Sequence, residues 1–213
     1  MAQHGPAPIQ AGDSPRQIAG ILLAAGRGTR FDPTGQLNKL MQPLADGTPV
    51  AAASASALLA VLPDVIAIVR DHTSALSRLL ASAGCRVLSC PDAGRGMAAS
   101  LVCGILATPQ HAGCLIALAD MPFVQQSTLQ ALVDALTQGA DIAAPVWNGH
   151  RGNPVAFSAW HRQRLLSLEG DRGARALLQQ YPVREVIVTD PGILRDIDTP
   201  SDLPPTTHIR SLT

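Results

Sequence analysis

The stretch Ile18-Ala-Gly-Ile-Leu-Leu-Ala-Ala-Gly-Arg-Gly-Thr-Arg-Phe31 decides how the rest of the chain is read. Residues 18–23 are continuously apolar, the pattern of a strand buried on both faces and therefore of a parallel sheet covered by helices. The run ends at Ala24-Ala25-Gly26-Arg27-Gly28, where two glycines flank an arginine. Such a turn lets backbone N–H groups approach a phosphate closely. This segment is expected to be the first, central strand of a sheet, with a phosphate-sized loop at its carboxyl end.

Working outward, the same rhythm repeats. Thr48 and Pro49 read as an N-cap and first-turn pair opening a helix over 50–61, stopped near Pro63. A β-branched strand at 65–69 follows, then helix 73–83, strand 86–89, helix 97–106, strand 115–119, helix 127–138 and strand 141–146. Alternating strands and helices predict a mostly parallel sheet with helices on both faces. Asn148-Gly149 marks a tight turn between 143–147 and 155–157, which predicts a hairpin or an antiparallel excursion. Two helices at 159–168 and 173–181 precede a last strand at 185–188. The expected fold is one α/β domain, a three-layer α/β/α sandwich.

Bulk properties narrow the partners. The chain has 213 residues, 46% hydrophobic and 15% charged, with a formal net charge of zero, so no broad basic surface for nucleic acid is expected. No apolar run approaches the roughly 20 residues of a membrane helix. Residues 1–16 are polar and rich in Pro, Gly and Gln, and are expected to be a disordered tail rather than a signal peptide. Residues 17–205 form the expected domain and 206–213 a C-terminal tail. Cys85, Cys90, Cys103 and Cys114 show no CxxC pair and sit in or beside apolar segments, which suits buried, reduced thiols in a cytoplasmic protein. No histidine pair has zinc-ligand spacing, so hard oxygen ligands are the option for a metal.

In such sheets, ligands bind where loops leave the carboxyl ends of the strands. Three loops there carry polar chemistry. The first, 24–30, brings Arg27 and Arg30 beside the glycines, with Lys39 eleven residues after Gly28 as a further cation. It lacks the third glycine of a dinucleotide fingerprint and the Gly-Lys-Ser/Thr of a Walker loop, and a purely structural turn is the competing reading. Asp120 follows the apolar strand 115–119 and precedes Met121-Pro122, where a Mg²⁺ ligand or a turn cap would sit. Asp196-Ile-Asp198 places two carboxylates on one side of an extended segment, and one of them could complete a metal site with Asp120. Cations and carboxylate-held magnesium suit attack on the α-phosphorus of a nucleoside triphosphate, in which negative charge grows on the departing pyrophosphate.

These residues resemble the MobA-like nucleotidyltransferases, most closely the molybdenum cofactor cytidylyltransferase branch. The matching pieces are Leu23-Ala-Ala-Gly-Arg-Gly-Thr-Arg-Phe31, Asn38-Lys-Leu40, Gly94-Arg-Gly-Met-Ala-Ala-Ser100, Leu118-Ala-Asp-Met-Pro-Phe123, Gly149-His-Arg-Gly-Asn-Pro154, Gly170-Asp-Arg-Gly-Ala-Arg175 and Asp196-Ile-Asp-Thr-Pro200. The resemblance implies a Rossmann-like, nucleotide-diphospho-sugar transferase-like fold. It implies that Leu23, Ala24, Ala25, Gly26 and Gly28 contact the nucleotide, with Arg27 and Lys39 on its phosphates and Gly96, Met97 and Ser100 near base and ribose. Arg27, Lys39 and Asp120 would be catalytic, and Asp120 and Asp198 would hold Mg²⁺. The 149–154 stretch resembles the acceptor-side loop, with Asn153 where the branch often has histidine. Residues 32–36 lengthen the segment before Lys39 relative to the family pattern.

Guanylyl-transferring relatives typically carry Leu-Ala-Gly-Gly in the first loop, whereas this chain has Leu23-Ala24-Ala25-Gly26, as the cytidylyl branch does. The Ala25 methyl would crowd a purine, which favours CTP. The implied acceptor is molybdenum-bearing molybdopterin, giving the cytosine dinucleotide cofactor, and the implied protein partners are a molybdoenzyme or its maturation chaperone. Arg151, Asp171, Arg172 and Arg175 are candidates for the acceptor or simply solvated charges. The rivals are GTP or another phosphorylated acceptor with the same chemistry, and a non-catalytic protein that delivers the cofactor. A nicotinamide dehydrogenase is disfavoured, because this chain lacks the third glycine and a clear strand-end acidic residue roughly twenty positions after the loop.

Overall fold

The computed structural model describes residues 17–170 and 173–205. The expected tails 1–16 and 206–213, and the acceptor candidates Asp171 and Arg172, lie outside the described residues.

The opening stretch forms β1 (Ile18–Leu23), followed by β2 (Val65–Val69), β3 (Arg86–Ser89) and β4 (Gly113–Leu118). These four strands are parallel, in the spatial order β3-β2-β1-β4, so β1 is interior and its carboxyl end is flanked by those of β2 and β4. Leu22 faces a core shared with α1 (Val50–Leu59), α2 (Ala75–Ser82) and α4 (Gln126–Thr137). Ile21 faces the opposite core, shared with α3 (Met97–Leu106), α5 (Arg162–Leu166) and α6 (Arg175–Gln180). Successive side chains of a strand alternate between faces, so a strand covered on both sides must be apolar at every position. That is the origin of the unbroken run at 18–23, and truncating Leu22 to Ala is expected to cost about 2–5 kcal/mol.

The antiparallel excursion is larger than a hairpin. β5 (Ile142–Trp147) pairs with the short β6 (His150–Arg151) through the Asn148-Gly149 turn, both residues at positive φ (48° and 78°), the conformation that two-residue hairpins require. The chain then runs as β7 (Val155–Ser158), which inserts between β4 and β5 antiparallel to both. β8 (Arg184–Ile187) returns parallel to β5. This insertion is a tertiary choice that residue periodicity does not encode.

Other departures are local. Thr48 is not the N-cap of α1; Pro49 is, with no capping side chain. Thr48 belongs instead to a turn in which its carbonyl accepts from Leu44 N and its own N–H donates to Asp46. The two helices expected after β7 are shorter, α5 and α6, and a 3-10 turn at Pro91–Arg95 precedes α3. Gly104 lets α3 lie close to the sheet, because a Cβ there would stand 2.6 Å from Ile21 Cγ2. This approach fixes where the N-terminus of α3 meets the loop after β1.

Candidate functional site

A cleft of about 560 Å³ opens at the carboxyl ends of β1, β2 and β4. Leu23, Ala25, Gly26, Arg27, Gly28, Lys39, Gly96, Met97, Ser100, Asp120 and Asp198 all line it. Ala24 does not. Strand alternation turns its methyl into the core on the α1 side, 4% exposed, and its N–H donates to Ile68 O. Thr29, Arg30, Arg70, Gly94 and Asp196 complete much of the wall.

Lys39 reaches the cleft through an ordered loop. Asp32 accepts from Thr34 N, Thr34 Oγ1 and Leu37 N at 2.7–2.8 Å, and the Thr34 hydroxyl is the main cause holding its carboxyl down at about 2. Asn38 then caps a 3-10 turn at Lys39–Met41 by accepting from Leu40 N. The lengthened stretch 32–36 is thus a folded turn that still delivers Lys39 inward.

The Lys39 side chain is nearly buried, and its Nζ lies 2.6 Å from Asp120 Oδ2 and 3.1 Å from Asp198 Oδ1. Burial alone would lower the ammonium's pKa, but the two carboxylates outweigh burial and raise it. The exposed Arg30 also pairs with Asp198. Asp196 has its pKa raised, chiefly by burial and further by the neighbouring Asp198 and Asp120.

Asp198 is set in place by its neighbours. Ile197, wholly buried, donates its N–H to Asp120 O at 2.8 Å, so Asp196 and Asp198 flank a residue anchored in the core. The Asp202 carboxylate accepts from Asp198 N, Thr199 N and Thr199 Oγ1, clamping the turn that presents Asp198. Upstream, Asp190 accepts from Thr128 Oγ1, Gln125 N and Gly192 N, which ties the approach to this turn to the start of α4.

The donor set suits a hard cation. Asp120 Oδ1 is buried without a hydrogen-bond partner, and Asp198 stands across Lys39 from it. Among the described residues no cluster of three or more His, Cys, Asp or Glu side chains is placed to enclose a metal. Mg²⁺ commonly takes one or two carboxylates and completes its shell with substrate phosphates and water, so two carboxylates fit.

On the opposite side, α3 points its N-terminus, a site of partial positive charge, at the cleft. Met97 is 47% exposed on the cleft wall rather than in the core. The acceptor candidates fare differently. Arg151 pairs with Glu185 at 2.9 Å and is not among the cleft residues, nor is Arg175. Asn153 N donates to Ile193 O, so the 149–154 loop is fastened to the segment leading to Asp196.

Arg70, directly after β2, was absent from the sequence-derived candidates. Its Nε donates to Ala25 O at 2.8 Å. The strand-end logic that selects the loops after β1 and β4 points to it equally.

All four cysteines are free; Cys85, Cys90 and Cys114 are buried and Cys103 half-buried. Among the described residues no helix is long and apolar enough to cross a membrane.

Comparison with known proteins agrees with this architecture. Rv0371c from Mycobacterium tuberculosis H37Rv is 28% identical, covering 89% of this chain and 96% of that one, with a TM-score of 0.75. The same protein in complex with manganese aligns at 26% identity over 82% of this chain and 89% of that one, TM-score 0.66. A nucleotidyl transferase from Methanothermobacter shares the fold at 23% identity over 87% and 94%, TM-score 0.73. So does molybdopterin-guanine dinucleotide biosynthesis protein A from Archaeoglobus fulgidus, at 19% identity over 87% and 94%, TM-score 0.64. No match was found among the curated proteins. The model of the MobA-like NTP transferase domain matches residues 20–186, and the chain belongs to that family of nucleotidyltransferases.

Proposed function

We propose that the protein transfers CMP from CTP to the terminal phosphate of molybdenum-molybdopterin, releasing pyrophosphate and forming the cytosine dinucleotide cofactor. The observation that carries this reading is the convergence in one cleft of the glycine loop, Arg27, Arg30 and Lys39 with Asp120 and Asp198. Two carboxylates that would hold a divalent cation beside cations on the phosphates suit transfer chemistry, in which charge grows on the departing pyrophosphate.

The glycine loop holds the triphosphate by its N–H groups. Arg27 and Lys39 neutralise charge that grows on the departing pyrophosphate, a preorganised arrangement suited to this chemistry. Asp120 and Asp198 would hold a divalent cation, Mg²⁺, which would supply charge neutralisation and alignment for the triphosphate. The acceptor phosphate is already anionic and attacks without a covalent enzyme intermediate. Ala25 lines the cleft while its side chain, 5% exposed, packs into the core on the α3 side, and a residue bulkier than glycine at this place narrows the nucleotide site against purines. Residues 17–205 constitute the catalytic domain, acting in the cytoplasm and passing its product to a molybdoenzyme or that enzyme's chaperone.

The test is product identification. Protein incubated with Mg²⁺, molybdenum-molybdopterin and an equimolar mixture of CTP and GTP should yield the cytosine dinucleotide by mass spectrometry. A guanine dinucleotide product would overturn the choice of base, and an unmodified pterin would overturn the acceptor.

A further inference from the structure

The cleft has a polar end that the triphosphate does not need. Its carboxylates lie on the β4 side of β1, where Asp120 leaves the sheet. Arg70 leaves the sheet on the other side, after β2, two strand spacings or about 10 Å away. The glycine loop after β1 and the Asp120 and Asp198 carboxylates, which would hold a divalent cation serving the phosphates, put the phosphates on the β1 and β4 side. The uncharged base is then left with the β2 side, between Arg70 and the start of α3.

Arg70 is built for a fixed task there. Its Nε–H is spent on Ala25 O at 2.8 Å, which sets the plane of the guanidinium against the glycine loop. Among the described residues its two terminal nitrogens make no hydrogen bond, although both belong to a side chain on the cleft wall. A guanidinium offers only donors, in a rigid fork. Cytosine presents two adjacent acceptors, O2 and N3, on its pairing edge. Uracil carries a hydrogen on N3 and opposes one donor with another. The pairing edge of guanine likewise presents N1–H and N2–H₂ donors.

We propose that Arg70 is the base-reading residue of this site, its terminal N–H groups donating to O2 and N3 of cytosine while Nε–H stays on Ala25. The Ala25 carbonyl and Arg70 then act as one device: the fork held by that carbonyl separates cytosine from uracil by hydrogen-bond polarity. This rests on the cytidylyl reading above and goes beyond it by assigning which side chain selects the base.

The experiment is calorimetric titration of the whole protein with CTP, UTP and GTP in Mg²⁺, without acceptor, for the wild type, Arg70→Met and Arg70→Lys. Wild type should favour CTP over UTP by at least about tenfold, in line with charge-assisted hydrogen bonds to a fixed partner. Arg70→Met should lose about 10–100-fold in CTP affinity and bring CTP and UTP within about threefold of each other. Arg70→Lys keeps a donor for Ala25 and its charge but lacks the fork, so the CTP preference should collapse there too, even if Arg70→Met proves unstable. If Arg70 merely braced the loop, CTP and UTP would weaken together with their ratio intact, and that result overturns the assignment while leaving the cytidylyl reading standing. Wild-type preference for GTP overturns the cytidylyl reading itself.

Discussion

The Lys39 ammonium lies 2.6 Å from Asp120 Oδ2, joining residues 81 positions apart in sequence. The same ammonium reaches Asp198, so one cation holds together the two carboxylates assigned to a divalent ion. Ammonium and metal therefore draw on the same two carboxylates. Lys39→Met should bind Mn²⁺ more tightly than wild type in the absence of nucleotide, read by the electron paramagnetic resonance of free Mn²⁺. It should nevertheless lose about 10²–10³-fold in kcat, because a charge preorganised for the departing pyrophosphate is gone. Unchanged Mn²⁺ affinity would place the metal elsewhere.

Asp202 touches none of the cleft but accepts three hydrogen bonds from the turn that presents Asp198. Those donors, the Thr199 N–H foremost, lower its pKa, so it stays ionised through the neutral range. Asp202→Ala should reduce kcat by about tenfold or more through misplacement of Asp198. Asp202→Glu should restore part of it, and the KM for nucleotide should move little. A variant with normal kcat would mean that Ile197 alone suffices to place the turn.

His161 is fully buried, neither ring nitrogen has a hydrogen-bond partner, and Phe157, Trp160 and Tyr181 enclose it edge-on. Burial, and then the positive charge of Arg164, depress its pKa below 6.5, with Asp141 opposing more weakly. A depressed histidine contributes its full stability above the unfolded value and loses it as pH falls through that value toward the folded one. Tm should therefore drop between pH 7 and pH 5, and His161→Phe should flatten the drop. An equal drop in both proteins would assign the effect to other groups.

The thiols offer a check on the core. Burial pushes Cys85 up to about 11 and Cys114 to about 12, and burial together with a hydrogen bond to Cys103 pushes Cys90 to about 12. The thiolate is the reactive form, so Ellman's reagent at pH 8 should label no more than one thiol, Cys103, in the native protein and four after denaturation. Rapid labelling of Cys114 would contradict the packing of β4 against β7.

Much of this site was legible because both decisive loops follow fully apolar strands. β1 and β4 are recognisable from unbroken runs, and the strand-end rule then picks out Gly26, Arg27 and Asp120 without reference to tertiary contacts. Asp196 and Asp198 were legible from alternation, which the buried Ile197 between them explains. Arg70 was missed although β2 is as apolar as β1, because an arginine after a strand reads as a solvated end until its contact with Ala25 is seen. Ala24 was included by its place in a motif, whereas alternation alone turns it into the core. The placement of β7 between β4 and β5 was not legible, since Asn148-Gly149 announces a reversal but not which strand the returning chain will join.

The central claim is metal-assisted nucleotidyl transfer at Asp120. The most direct test is pyrophosphate release with Mg²⁺ and molybdenum-molybdopterin, offering CTP, GTP, ATP and UTP separately to wild type and to Asp120→Asn. The account predicts release selective for CTP and reduced at least about 10²-fold by the substitution. Undiminished release in Asp120→Asn, or none with any nucleotide from folded wild type that binds CTP, would contradict it.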